Sequence, residues 1–563
     1  MDYMEKYRAW LADPAIDEES KKELRAIETD EKEIRDRFYQ DLKFGTAGLR
    51  GKLGAGSNRM NRYTVSLATE GFARVIQDDG AEAMRKGVVI SYDVRNFSKE
   101  FAQIAAEVFA AHDIKVYLCD DIQPTPVLSY LVRALGTHAG VMITASHNPK
   151  EYNGYKAYGP EGSQILDDWA DRILNKIAGL DGFSSISQID LARGLEEEII
   201  EYVDHSHFED YRRKVLDLAI HDDIDKSISI VYSPLNGCGY RWVPEILSAR
   251  SFDRVHIVEE QSMPDGNFTT VGYPNPEDPN AFDLSLDLGD RVDADLLIAT
   301  DPDADRVAIE VRDIDGSYRF INGNKIGSLL VYYLISELEA TGRLPENGAV
   351  IKSIVTGDIA KPICEKHGLS YLEVLTGFKN IAAPINAWDR TGEHSFVFGY
   401  EESIGFNRGE FVRDKDAVSS TMLIAEMAAF YKKQGKSLLD VLEEIYEEFG
   451  YYNERLISIV LEGLDGQQKI GRIMEEFRAN PVQEIEDLVL VESIDYQKDD
   501  TGLAKSNVLK YRYNDKSWFA IRPSGTEPKI KLYIYSVGKS LEDSEKKLKL
   551  LEKAARSIID RIQ

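Results

Sequence analysis

The sequence predicts an α/β protein: three similar mixed α/β domains with largely parallel sheets, followed by a C-terminal α+β domain. Three observations carry that expectation. Short apolar runs alternate with amphipathic segments in a β-α-β-α-β order, which implies right-handed crossovers and helices laid against a sheet. The order recurs, starting near residues 88, 228 and 350. Each round ends on a polar loop at the carboxyl end of a strand, where open α/β sheets place ligand chemistry.

Residues 1–40 are heavily charged and helical in pattern, and read as an extension packed on the first domain. The first round then predicts a strand at Val88–Ile90, a helix over Ser98–His112, a strand at Ile114–Leu118 and a helix near Pro126–Leu135. Its last strand, Gly140–Ile143, runs into TASHNP at 144–149. The second round uses Ile228–Tyr232, Val255–Val258 and Leu296–Ala299, the last entering TDPDADR. The third uses Val350–Val355, a helix near Ile359–His367 and Phe396–Phe398, which enters GYEESIG. The tail differs. Strands are expected at Leu456–Leu461, Val508–Tyr513, Trp518–Ile521 and Lys531–Tyr535, with a closing helix over Ser540–Ile562 and RPSGTEPK as the polar loop. The expected domains are 1–204, 205–323, 324–452 and 453–563.

A chain of 563 residues exceeds one core at about 100–200 residues per domain, so several domains are required. Lys and Arg total 68 against 97 Asp and Glu, a formal charge of −29. Such a surface repels nucleic acid and anionic lipid, which need basic patches. Cys119, Cys238 and Cys364 are far apart and fit no metal spacing, so reduced, buried thiols are expected. The opening MDYMEKYRAW lacks a signal peptide's apolar stretch and no run approaches a membrane span, so the expected location is cytoplasmic.

In TDPDADR, Asp301, Asp303 and Asp305 alternate, so an extended segment would put their carboxylates on one face. Three like charges so close need a cation between them, and hard oxygen ligands favour Mg²⁺. The plainer alternative is an acidic surface turn. In RPSGTEPK, Arg522 suits a bidentate phosphate contact, Ser524 and Thr526 offer hydroxyls, Gly525 lets backbone N–H groups approach an anion, and Lys529 adds charge. A simple hairpin turn is the competing reading. In GYEESIG, Glu401 and Ser403 suit the vicinal hydroxyls of a sugar, or a solvated turn. Lys415 in RDKD and Lys379 in TGFK can bind phosphate or share a proton. Arg50 in FGTAGLRG is a further anion contact.

Ser146 in TASHNP is a helix cap, a hydrolase nucleophile or a carrier. A hydrolase elbow needs glycines two residues to either side, and Thr144 and Asn148 stand there. Neither a GxxxxGK phosphate loop nor a complete GxGxxG occurs, which removes P-loop kinases and dinucleotide enzymes.

TASHNP, DPDADR, GYEESIG and RPSGTEP, in this order, resemble the four signature loops of the α-D-phosphohexomutases. The likeness spans the chain from FGTAGLRG to RPSGTEPK and is strongest to the phosphoglucomutase branch that includes phosphopentomutase-like enzymes. The resemblance implies four domains around a central cleft and a phosphoserine at Ser146. It implies one Mg²⁺ held by Asp301, Asp303, Asp305 and a phosphoserine oxygen. Glu401 and Ser403 would grip sugar hydroxyls, and Arg522, Ser524, Gly525 and Thr526 the phosphate that is not reacting. Arg50, Arg306, Thr376, Gly377 and Lys415 match further active-site positions. The implied reaction interconverts glucose 1-phosphate and glucose 6-phosphate, with glucose 1,6-bisphosphate as intermediate and activator. Phosphopentomutase, phosphomannomutase, bisphosphate synthase and a silent sugar-phosphate-binding protein share the same loops. The expected partners are small sugar phosphates, and the expected state a monomer or weak homo-oligomer. His147, Lys379 or Lys415 would take the hydroxyl proton, a lysine only if its pKa were lowered. Two departures from the family stand out: Pro302 and Ala304 in a loop commonly rich in glycine, and Ile404-Gly405 where many relatives carry glycine and histidine.

Overall fold

The computed structural model describes residues 2–42, 44, 48–461, 463–523 and 529–562, with the backbone alone for 463–465. The chain divides into two compact units, one of residues 1–326 and 382–437, the other of 327–381 and 438–563.

The first unit opens on three short helices, Tyr3–Ala12, Glu18–Ala26 and Glu31–Phe38. Asp2, Asp17 and Asp30 cap them, each accepting from a backbone N–H three residues on. Their buried faces, including Tyr7, Trp10, Leu24 and Phe38, pack on Ala55 and Tyr63, so the extension does sit on the first domain.

The sheet that follows has the strand order Leu49–Lys52, Tyr152–Tyr158, Ala139–Ile143, Val88–Tyr92, Val116–Leu118, Ile200–Tyr202. The last four are parallel, and Tyr152–Tyr158 runs antiparallel to both of its neighbours. The sheet is therefore mixed. Strand Tyr152–Tyr158, unforeseen in the sequence, returns directly after TASHNP, and so short a connection only permits antiparallel pairing. In the second sheet Leu296–Thr300, Ile230–Ser233 and Val255–Ile257 are parallel, and Val307–Arg312 and Tyr318–Ile321 add an antiparallel edge. A third element, strands Ser395–Glu401 and Gly405–Asn407, is an antiparallel hairpin leading to helix Ala417–Lys433. Every predicted strand of these rounds is present within two or three residues. Each central one is buried along its length, which is why it reads as a continuous apolar run.

The second unit holds the parallel pair Gly348–Ser353 and Ser370–Val374. It also holds the antiparallel sheet Tyr451–Val460, Lys529–Gly538, Trp518–Pro523, Leu509–Tyr513 and Leu488–Asp495, ended by Glu484–Ile485. Helices Gly463–Ala479 and Leu541–Ile559 pack with it. Charges are buried here in a group. Lys352 Nζ lies 2.7 Å from Asp358 and 3.1 Å from Glu373, and Arg512 reaches both carboxylates. Lys510 donates to Ile354 O at 2.7 Å and stands 4.0 Å over the Trp518 ring. Glu373 is 3.7 Å from it.

No helix among the described residues is long and apolar enough to cross a membrane. Cys119, Cys238 and Cys364 are buried and form no disulfide.

Burial pulls Lys510 down to about 7; Asp358 opposes the shift, and Lys352 adds to it. An unfolded lysine titrates near ~10.4. Between these values the unfolded chain holds more protons than the folded one, so this group makes stability rise with pH. We therefore expect the melting-temperature difference between wild type and Lys510→Met to shift in favour of wild type as pH goes from 6.5 to 9. A difference independent of pH would count against it.

Candidate active site

Three loops of the first unit meet. Ser146 follows strand Ala139–Ile143, the aspartates follow Leu296–Thr300, and Glu401 ends Ser395–Glu401. Ser146 Oγ donates to Asp301 Oδ2 at 2.9 Å and lies 3.1 Å from His147 Nδ1. Arg50 joins them from its own strand, with Nη1 donating to Asn148 Oδ1 at 3.3 Å.

The aspartates converge, but not as an extended segment. Residues 301–305 form a tight turn in which Ala304 N donates to Asp301 O at 2.9 Å. Ala304 takes φ +48°, the left-handed conformation that glycine adopts most easily, which bears on the departure from a glycine-rich loop. The turn brings one donor oxygen of each carboxylate within 4.8 Å of the others, all three buried.

The electrostatics of the turn decide what it can hold. Asp301 Oδ1 accepts from the backbone N–H groups of Asp305 and Arg306. Asp303 Oδ2 accepts from Thr125 Oγ1 and Lys156 Nζ, both at 2.8 Å. Asp305 Oδ2 faces Lys156 at 3.3 Å and Lys415 at 3.0 Å. Two oxygens remain, Asp303 Oδ1 and Asp305 Oδ1, buried and, among the described residues, without a hydrogen-bond partner; Arg306 Nε stands 3.8 Å from the second. Orphaned carboxylate oxygens in a dry site are costly unless a cation completes them, and an all-oxygen set suits a hard divalent ion. The residues fit a metal.

Burial and then the neighbouring Asp303 and Asp305 push the Asp301 carboxyl well above the usual range. Burial works the same way on Asp303, but Lys156 outweighs it and holds that group below the range. For Lys415, burial lowers the pKa, and Asp305 and Asp414 outweigh it, leaving the ammonium firmly protonated. The lowered pKa on which Lys415 would serve as a base is therefore not met. Burial, then Arg306 and Arg50, push His147 well below 6.5, so its imidazole is uncharged.

Glu401 is buried, and its charge acts on both Arg306 and Lys415. Ile404 takes φ +53° and its carbonyl accepts from Val307 N at 3.1 Å, tying the Glu401–Ser403 loop to the strand that leaves the aspartate turn. Gly405 has a specific purpose: a Cβ there would stand 2.2 Å from Lys415 Cδ.

Of the expected site residues, the structure gathers Ser146, His147, Arg50, the aspartates, Arg306, Glu401, Ser403 and Lys415 into the first unit. Thr376, Gly377, Lys379, Arg522 and Lys529 belong to the second unit, and Ser524, Gly525 and Thr526 lie outside the described residues. Lys156 is the residue the sequence reading missed. Its signal was a lone cation in the otherwise uncharged strand Tyr152–Tyr158, where a buried charge demands a partner.

Four segments match the domain descriptions of one family. Residues 41–182, 206–316 and 322–449 match its α/β/α domains I, II and III, and 459–546 its C-terminal domain. The chain belongs to the phosphoglucomutase/phosphomannomutase family. A phosphoglucomutase of Staphylococcus epidermidis is 44% identical over 505 residues, covering 88% of this chain and 90% of the relative. One of Staphylococcus aureus is 41% identical over 529 residues, covering 92% and 93%. Among solved structures, pp63/parafusin of Paramecium, a phosphoglucomutase in its open form, shares the fold with a TM-score of 0.71 at 17% identity, covering 93% and 95%. A phosphoglucomutase/phosphomannomutase family protein of Burkholderia thailandensis does so with 0.68 at 17% identity, covering 92% and 98%. As a family member the protein is an isomerase of the mutase type.

Gly405→Ala must displace Lys415 from Asp305. We expect mutase turnover to fall by about 10²-fold and the melting temperature to fall with it, because buried Asp305 loses one of its cations. Unaltered turnover would show that the Lys415–Asp305 contact is dispensable.

Proposed function

We propose that the protein interconverts glucose 1-phosphate and glucose 6-phosphate, with Ser146 as phosphoryl carrier and Mg²⁺ at the three aspartates. The observation that carries the reading is the Ser146 hydroxyl bonded to a buried carboxylate beside two orphaned carboxylate oxygens. The relatives named phosphoglucomutase support the choice of sugar.

In the first half-reaction the sugar 6-hydroxyl oxygen forms a bond to phosphorus, the bond from phosphorus to Ser146 Oγ breaks, and the hydroxyl proton passes by way of a base to Oγ, which ends as the serine hydroxyl. Of the candidate bases, His147 is the uncharged one beside Oγ. The bisphosphate turns around, its 1-phosphate returns to Ser146, and glucose 6-phosphate remains. A covalent carrier divides the exchange into two easier steps. Bound Mg²⁺ supplies charge neutralisation at the phosphoryl oxygens. The protein's own cations do the rest: Arg50 approaches the serine loop, while Lys156 and Lys415 neutralise Asp303 and Asp305 and keep the loop folded. Glu401 and Ser403 bind sugar hydroxyls. Arg522, Ser524, Gly525, Thr526 and Lys529, with Thr376, Gly377 and Lys379, hold the idle phosphate. The carrier serine then falls in segment 1–204, the aspartates in 205–323, the sugar contacts in 324–452 and the RPSGTEPK loop in 453–563.

Intact-mass measurement should find about 80 Da of phosphate on Ser146. Ser146→Ala should fold and lose at least about 10⁴-fold in turnover; near-normal activity with glucose 1,6-bisphosphate supplied would refute the carrier role. Comparing glucose, mannose and ribose 1-phosphates as substrates tests the choice of sugar. Dialysis against a chelator should abolish turnover and Mg²⁺ restore it, whereas full activity without divalent ion would remove the metal from the reading.

A further inference from the structure

Arg95 has no role in the chemistry above, yet it is wholly buried under the nucleophile loop. Its Nη2 donates to the carbonyls of Ser146 and Asn148, and its Nη1 to those of Pro149 at 2.9 Å and Tyr152 at 3.1 Å. Four carbonyls of one loop thus turn inward on one guanidinium. The cation is itself fixed. Asp93 Oδ2 lies 3.3 Å from Nε, and Asp93 Oδ1 accepts from Ser98 Oγ at 2.7 Å and from Arg95 N at 2.9 Å. The Phe268 ring covers the guanidinium at 5.0 Å.

The consequence lies in the peptide plane. In a trans peptide the C=O and the following N–H point in opposite directions. With the Ser146 carbonyl drawn to Arg95, the His147 N–H is turned away from it, and among the described residues that N–H has no protein acceptor. It adjoins Ser146 in the chain, on the side of the peptide turned away from Arg95. Ser146 is held at φ +53°, a conformation a serine keeps only when its surroundings impose it.

We propose that Arg95 is a positioning residue that orients the Ser146–His147 peptide so that its N–H donates to the phosphoryl group in transfer. Asp93 faces Nε at 3.3 Å as the counter-charge, without a hydrogen bond to it. The proposal rests on Ser146 being the carrier. Lysine cannot replace Arg95, because an ammonium lacks the planar fork that reaches four carbonyls.

The test uses full-length Arg95→Lys and Arg95→Ala, assayed with glucose 1-phosphate and glucose 1,6-bisphosphate. A lost transition-state donor predicts a kcat lower by about 10²-fold, with KM within about threefold of wild type. Added guanidinium should recover part of the kcat of Arg95→Ala and none in Arg95→Lys, whose side chain fills the space. A mere loop brace would lower the melting temperature without this split. A folded Arg95→Lys with kcat near wild type, or with a raised KM alone, overturns the proposal. So does a folded Arg95→Ala that guanidinium leaves unchanged. Should Arg95→Ala not fold, the kcat and KM of Arg95→Lys decide. Wild type that fails to convert glucose 1-phosphate would count against the mutase reading alone. The clamp is then judged by how fast the bisphosphate phosphorylates Ser146 in wild type and Arg95→Lys: an equal rate overturns it, a rate about 10²-fold lower upholds it.

Discussion

Three carboxylates share one dry turn, and that constraint organises the first unit. Like charges at such separations repel strongly where water is excluded, so the turn is stable only with cations and donors delivered to it. They come from distant parts of the chain: Ser146 and Lys156 from one sheet, Thr125 from the helix beside it, and Lys415 from the segment before helix Ala417–Lys433. Residues 382–437 accordingly belong to the same compact unit as residues 1–326. Two carboxylate oxygens still lack a hydrogen-bond partner among the described residues, an arrangement that fits a metal ion.

The backbone carries a second cost in the same place. Ser146, Ala304 and Ile404, one from each loop, all sit at positive φ and all are buried. A left-handed conformation costs an L-residue about 1–2 kcal/mol, and for branched Ile404 it is a true outlier. Each is held by bonds from outside its own turn. Arg95 grips the first, Ala417 N donates to Ala304 O at 3.1 Å, and Val307 N donates to Ile404 O. Strain concentrated at loop tips and maintained by a rigid surround is how a fold keeps reactive groups aimed.

Much of this was legible beforehand, for identifiable reasons. Strands buried on both faces read as apolar runs, so Val88–Tyr92 and Leu296–Thr300 were found within two residues. Strand Tyr152–Tyr158 escapes sequence reasoning because its Asn153-Gly154 pair, with Lys156, reads as a turn. The Asp triad was found from composition and spacing, yet its geometry was misjudged: alternation suggested an extended segment, and the carboxylates converge through a turn with Ala304 at positive φ. Lys415 is one of three candidate bases in the sequence, and only on condition that its pKa falls. No sequence pattern could show that Asp305 and Asp414 would raise it instead.

By itself the sequence determined the layered α/β plan, the order of the polar loops and the chemical types in them, because these depend on local periodicity and on which side chains bear oxygen, hydroxyl or charge. Only the tertiary structure decided that Lys156 pairs with Asp303, that His147 is pushed toward its uncharged form and that Arg95 lies beneath the Ser146 loop. Those facts follow from burial and from contacts between residues far apart in the chain. Desolvation and Coulomb energy depend on three-dimensional distance, which one-dimensional spacing does not encode.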